Sequence, residues 1–359
     1  MGQLPHSSMM QPIFSASSSS GGGKDQRKNM CKDTHNLPAI RLRSEVNTLC
    51  FPLFFLSKRS RAQTIECRKV QRHGNQSVEA VWRVIPHPAY GRPGPLAHRI
   101  HRAVEQLITE RGLPIENPVS FTIHNLCRRA GIAAGGTEYL KVKQALLSIK
   151  ATQVESRGAF YAKSQRSFVD DVFSIYERIV FTGEQLPDGT IADSNRLWLG
   201  SRFLENLNSL YVKPLNYRFY LQLRTPIARR LYELLGVKFF GVAGNRQPWI
   251  RYRYSTLCEL LPMTKHGYRS QMKQQLNTAH RELLEGGFLA DVKLSAISQP
   301  RDWHIKYVAG ERALKEISAV KTQSSKPTNN KKNWRASSGQ PGFPPQREGG
   351  RTPSAAHSL

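Results

Sequence analysis

Acidic residues are scarce in this chain: 26 Asp and Glu stand against 53 Lys and Arg, a formal charge of +27 over 359 residues. That balance excludes an acidic, cation-handling surface and suits a polyanionic partner. The excess is spread along the chain, +8 over 1–89, +5 over 90–222, +8 over 223–308 and +6 over 309–359. Cysteine is also scarce. The five residues contain no C-x-x-C pair and no His at ligand spacing, so no zinc finger or ribbon can close. Cys127 and Cys258 sit in apolar helical patterns as buried thiols, the usage of a reducing cytoplasm. Long apolar runs are missing, which removes the membrane as a partner. The stretch 50–56 is too short to cross a bilayer, holds Pro52, and lies too far from the start for a signal peptide. The motifs of covalent chemistry are missing too. There is no Gly-x-x-x-x-Gly-Lys-[Ser/Thr] phosphate loop. Asp170 and Asp171 are adjacent rather than spaced for two metals. His98 and His101 share a helix face but lack a third ligand, so packing is their reading. The sequence therefore offers no catalytic residue, no metal site and no cofactor site.

What is present is organised in the middle. Residues 1–75 lack sustained periodicity, and Ser17 to Gly23 is linker composition, so 1–75 reads as a disordered leader, or as sequence ahead of a later start. A docking peptide at 51–56 is the alternative. The Lys/Asn/Gly/Pro-rich stretch 319–359 reads as a disordered basic tail. Between them, one order of elements occurs twice, at 76–212 and 213–318. In the first, Leu96, Ile100, Val104, Leu107 and Ile108 mark a helix, Val119 to Phe121 an extended piece, and Thr122 caps a short helix stopped at Gly131. A third helix covers 138–149, and 153–161 reads as two strands turning at Gly158. Strands at 173–181 and 197–199 follow, joined through a turn at 186–189, then a helix at 201–210. In the second, Thr225-Pro226 starts a helix ending at Gly236, and 250–254 alternates as a strand. Ser255 caps a short helix, a long helix runs over 268–285, and strands at 288–294 and 303–308 form a wing. Helix, strand, helix, helix, strand, strand is the winged helix-turn-helix order. The expected fold is α+β, with tandem winged helix-turn-helix domains and disordered termini.

That order gives the third helix of each unit a major-groove role. On the second-unit helix Arg269, Gln271, Lys273, Gln274 and Gln275 are the polar residues, with Lys265 and His266 just before it. Arg and Lys donate to guanine or phosphate, and Gln pairs bidentately with adenine. A solvated helix face has the same composition, and the surrounding unit is what favours recognition. Arg128, Arg129, Lys141 and Lys143 are the weaker first-unit counterpart, with Arg157, Lys163 and Arg166 set along phosphates from its wing. Arg251 and Arg253 share one strand face, either as phosphate clamps or as its wet side. Phe173, Ile175, Ile179 and Phe181 either build a strand-paired dimer interface or close onto their own domain.

The segment Asn206-x-x-Ser209-Leu-Tyr-Val-Lys-Pro-Leu215-Asn-Tyr-Arg-Phe-Tyr220 resembles the replication initiator protein A family of bacterial plasmids. So do Leu223-x-Thr-Pro226-x-Ala-Arg229-Arg-Leu231-Tyr232-Glu-Leu-Leu235, Leu257-Cys-Glu-Leu-Leu-Pro262, and the stretch 140–149. The resemblance spans about residues 80–310, leaving out the leader and the tail. It implies a protein that binds double-stranded origin DNA at direct repeats, nucleates strand opening and recruits a host helicase or host initiator. It also implies repression of its own promoter as a homodimer and initiation as a monomer. A plasmid or phage repressor with no initiation role uses the same helices and stays open. A non-catalytic, nucleoid-type binder, insensitive to sequence, is the reading from another class.

Overall fold

The computed structural model describes residues 41–57, 62–73, 76–133, 135–183, 194–242, 244, 247–297 and 301–324. The chain is an α+β protein. It opens with strand β1 (Arg41–Glu45) and helix α1 (Val46–Cys50), then a hairpin of β2 (Ile65–His73) and β3 (Gln76–Ile85). Next come α2 (Pro95–Arg111), β4 (Val119–Phe121), α3 (Ile123–Arg129), α4 (Gly136–Lys150), β5 (Gln153–Ala162), β6 (Ser167–Ser174), β7 (Tyr176–Val180), β8 (Asn195–Leu199) and α5 (Ser201–Asn208). After β9 (Val212–Asn216) and α6 (Tyr217–Gln222) follow α7 (Pro226–Gly241), β10 (Trp249–Arg253), α8 (Tyr254–Leu260), α9 (Arg269–Glu285), β11 (Leu289–Ala296), β12 (Trp303–Ala309) and α10 (Glu311–Ser324). The described residues up to Ile317 form one compact unit, and a second unit begins at Ser318.

The expected disordered leader is corrected over its described part. The apolar run packs because its side chains find two cores at once. Phe51, Leu53, Phe54 and Phe55 are buried with α2, α4 and β3, while Leu42, Leu49 and Leu56 are buried with α7, α8 and α9. Phe51 stacks on Trp82, whose indole N–H donates to the Pro52 carbonyl at 2.8 Å. β1 pairs antiparallel with β9, Leu42 opposite Leu215. A boundary at 75 would therefore cut the β2–β3 hairpin, in which His73 faces Gln76. At the other end α10, missed by the sequence reading, continues past the expected boundary at 318 and buries Ala313 and Ile317. Residues 1–40 and 325–359 lie outside the described residues, as does the expected turn at 186–189.

In the second half β12 lies between β10 and β11, so the strand entering α8 is tied to the hairpin after α9. Thr225 caps α7, its hydroxyl accepting from the Ala228 N–H at 3.2 Å. The helix does not stop at Gly236 but runs to Gly241. Gly236 instead admits the stem of Lys213 and the Leu215 side chain. In the first half, Gly158 does not turn a hairpin. It sits at φ +59 within a bulge of one long strand, β5, and the turn comes at 163–166 before β6. The sheets divide as β2-β3-β5-β6 and β4-β8-β7. The chain breaks at Ile175, so the expected single strand over 173–181 is two, in different sheets. Ile175 is 1% exposed, and Phe173, Ile179 and Phe181 pack on the core of their own chain. Ile175 is thereby a core residue rather than the dimer-interface residue expected, while Phe173, Ile179 and Phe181 are partly buried against the same core.

A buried ionic seam joins the halves. Glu233 of α7 accepts from His98 Nε2 at 2.7 Å and Arg102 Nε at 2.8 Å, both on α2, and pairs with Arg230 at 3.3 Å. Arg102 also pairs with Glu105 at 2.6 Å, and Glu105 accepts from the Ser44 hydroxyl at 2.7 Å. Arg230 donates to the carbonyls of Thr48 and Leu49 at the end of α1. Burial opposes the charge on Glu233, but Arg102 and His98 together outweigh it, by charge and hydrogen bond, and hold the carboxyl well below the usual range. Burial pushes His98 toward its neutral form. His101 Nδ1 meets the Tyr176 hydroxyl at 2.9 Å, so the His98/His101 pair is packed as the sequence suggested.

Candidate nucleic-acid interface

Two stripes with the same spacing make the α9 surface. Met272, Leu276, Ala279 and Leu283 are buried, which seats the helix on α7. Shifting that pattern by two residues gives Ser270, Gln274, Asn277 and Arg281, all exposed and pointing away from the core. Arg269, Gln271 and Lys273 flank this stripe and are exposed. Of the two carboxylates late in the helix, Glu282 is turned aside to accept from the Arg224 and Thr225 N–H groups at the start of α7, and Glu285 pairs with Arg281 at 3.9 Å. Sequence reasoning missed Ser270, Asn277 and Arg281. The signal for them was present, because the core stripe fixes the outer one.

The turn before α9 is held by side chains. Gln275 donates to the Thr264 carbonyl at 3.1 Å and accepts from the Tyr254 hydroxyl at 2.8 Å; that hydroxyl accepts from the His266 N–H at 3.1 Å. Gln275 is thereby committed to the turn, against its expected role as a base contact. His266 is half-buried beside it, while Lys265 and the capping residue Tyr268 are exposed. Asp302 accepts from the Ser255 N–H and hydroxyl, at 3.1 and 2.7 Å, anchoring the start of β12 to α8. Ser255 therefore does not cap α8; Arg253 occupies the cap position. Burial opposes the charge on Asp302, and the Ser255 hydrogen bonds outweigh it, holding the carboxyl below its ordinary range.

The outer face of the β10-β12-β11 sheet is cationic. Register aligns Arg251 with Lys306 and Lys293 in one row, and Arg253 with His304 in the next. Trp249 ends the face, with Lys306 Nζ at 4.3 Å from the ring centroid, and Lys293 pairs with Asp291 at 3.4 Å.

The first-half cations are differently placed. Arg129 pairs with Glu110 at 2.6 Å and donates to Asn125 at 2.9 Å. Lys141 pairs with Glu138 at 2.6 Å, Lys143 lies over the Phe181 ring at 5.1 Å, and Arg157 pairs with Glu155 at 2.8 Å. Arg128 is exposed on α3, and Lys163 and Arg166 are exposed at the β5–β6 turn. The structure thus gathers Lys265, His266, Arg269, Gln271, Lys273 and Gln274 at the front of α9. It draws four of the expected first-half cations into local contacts.

Among the described residues, no helix is long and apolar enough to cross a membrane, and no three His, Cys, Asp or Glu residues group to hold a metal ion. Such a chain is an α+β protein with a cationic, polar-faced helix set on a buried core. Over residues 43–283 it matches the replication initiator protein A family, and it belongs to that family. Membership makes it an initiator of replication. Among solved structures it is similar to domains 2 and 3 of RctB, with a TM-score of 0.46 and 15% identity over 74% of this chain and 98% of that one. A second RctB structure of the same two domains gives 0.41 and 13%, over 74% and 97%. No curated protein matches.

Proposed function

We propose that this initiator reads double-stranded origin DNA through two winged-helix units, with α9 in the major groove. The observation that carries the reading is the outer stripe of α9. Its exposed polar side chains stand over a fully apolar inner stripe, and its front half, Arg269 to Gln274, contains no carboxylate; Glu285 pairs with Arg281 only at the far end, at 3.9 Å. Amide, hydroxyl and guanidinium groups at that spacing match the donors and acceptors on base edges. Lys265 and the Arg251–Lys306–Lys293 row supply phosphate contacts that orient the helix without reading sequence. The first half places α3 and α4 over their own apolar core as a second unit. The continuous seam between the halves favours a long, directly repeated site. Binding nucleates opening of the origin and recruits the host helicase or host initiator, acting in the cytoplasm without covalent chemistry on the DNA.

The test combines footprinting of the DNA flanking the gene with binding isotherms on the protected duplex and a scrambled one. Arg269→Ala with Gln274→Ala should lower the preference for the protected duplex by about 1–3 kcal/mol for each side chain truncated, while scrambled binding stays nearly constant. An unchanged ratio of affinities would overturn the assignment of α9. Repeated protected sites beside an AT-rich stretch mark an origin, whereas one palindrome over the promoter marks a repressor.

A further inference from the structure

The outer face of α4 is not a copy of the outer face of α9. Val142, Ala145, Leu146 and Ile149 are buried, which turns Thr137, Leu140 and Gln144 outward. The long polar side chains on and beside this face have partners within the protein. Lys141 pairs with Glu138, Lys143 lies over Phe181, and Gln144 donates to the Tyr90 carbonyl at 2.9 Å. What projects among them is Leu140, 68% exposed, matched among the large apolar side chains of the described residues only by Tyr268 at the start of α9. A single exposed leucine is ordinary on a protein surface. This one stands at the middle of the outer face of a helix seated like α9, on a helix that carries Lys141, Lys143 and Lys150 against Glu138 alone.

We infer that Leu140 reads the C5-methyl group of a thymine in the major groove, so the two halves read different base chemistry. The polar stripe of α9 addresses base edges by hydrogen bonding. The outer face of α4, whose lysines and glutamine have partners within the protein, addresses them by apolar contact. Thymine is the base that presents a methyl in that groove. The isobutyl group of Leu140 gains when that methyl leaves water, and no buried donor has to be satisfied in return. Thr137, one turn earlier on the same face, adds a second methyl. The net charge around Leu140 favours DNA over an apolar protein surface as the occupant.

This inference rests on the DNA-reading function proposed above, and the experiment separates the two. The full chain selects duplexes from a random library, and the recovered sequence is resynthesised with deoxyuridine replacing one thymidine at a time. Removing one methyl from a buried contact should weaken binding about fourfold at a thymidine under the first half. Leu140→Ala should weaken binding to the parent duplex by a similar or larger factor and bind the thymidine and deoxyuridine duplexes alike. Its fold should be unchanged by circular dichroism, because the side chain is mostly in water. An enriched sequence at which deoxyuridine is tolerated everywhere, or a Leu140→Ala variant that keeps the parent's thymidine preference, would overturn this inference and leave the α9 reading standing. A Leu140→Ala variant with intact DNA binding but weakened self-association by sedimentation would overturn it in favour of a protein contact. A library from which nothing is enriched would overturn the sequence-reading function, and this inference with it.

Discussion

Phe54 gives the sharpest test of the architecture, because it lies in a stretch whose composition reads as dispensable. Its ring is 5% exposed, stacks on His98 with centroids 4.8 Å apart, and sits 5.4 Å from His101. Phe54→Ala removes most of a buried aromatic side chain and leaves a cavity against α2, at a cost of about 3–5 kcal/mol. The substitution also withdraws the apolar cover from the His98–Glu233 pair, so collapse of the cavity is opposed by polar groups that cannot move into it. Domains are stable by about 5–15 kcal/mol, so a large fraction is at stake. Urea unfolding followed by far-ultraviolet circular dichroism should show the midpoint lowered by about 1 M or more. Val70→Ala, at a position 66% exposed on β2, should stay within about 0.5 kcal/mol of the parent. A Phe54→Ala midpoint as close to the parent as that of Val70→Ala would refute the claim that this segment belongs to the core.

Two further outcomes follow from the buried groups. Glu233→Gln removes the anion on which Arg102, Arg230 and His98 converge, and should cost about 3–5 kcal/mol in the same unfolding assay. A variant as stable as the parent would show that Arg102 and Arg230 are satisfied without that charge. Burial lowers His280 to about 4, with its Nε2 3.1 Å from the Tyr307 hydroxyl. The fold therefore prefers the neutral ring: its contribution is complete above pH 6.5 and is lost as the pH falls from 6.5 toward 4. Relative to His280→Gln, the parent should lose about 2–3 kcal/mol between pH 7.5 and 4.5; a constant difference would refute the shift.

Elements held together by local rules were legible in the sequence. The Thr225 cap, the long α9 with its apolar stripe, and the alternation in β10 each depend on neighbours within a few turns. The sequence also carried the front of α9, where Arg269, Lys273 and Gln274 are exposed as expected. What escaped depends on distant partners. The run at 51–56 looks out of place only until α2 and α7 are brought to it, and Gln275 looks like a base reader until Tyr254 and Thr264 fold against it. The strand over 173–181 read as one because alternation does not show that the two sides of Ile175 join different sheets. Charge counts likewise could not tell the engaged cations of α4 from those of α9.

The pairing of β1 with β9 has a consequence for the order of events during synthesis. The first described residues emerge from the ribosome long before their partners; the Leu49 carbonyl waits for Arg230, 181 residues later. Pairings of such sequence separation are slow to form, because a long loop must close first. Phe51, Leu53, Phe54 and Phe55 are therefore exposed until α2 and α4 have been made, and Leu42, Leu49 and Leu56 until α7 has, an aggregation hazard of the nascent state. The contacts of this segment with the second core close only once α7 is complete. A chain truncated before α7 can seat Phe51, Phe54 and Phe55 on the first core but leaves Leu42, Leu49 and Leu56 uncovered, so fragments of the first half should depend on chaperones where the whole chain does not.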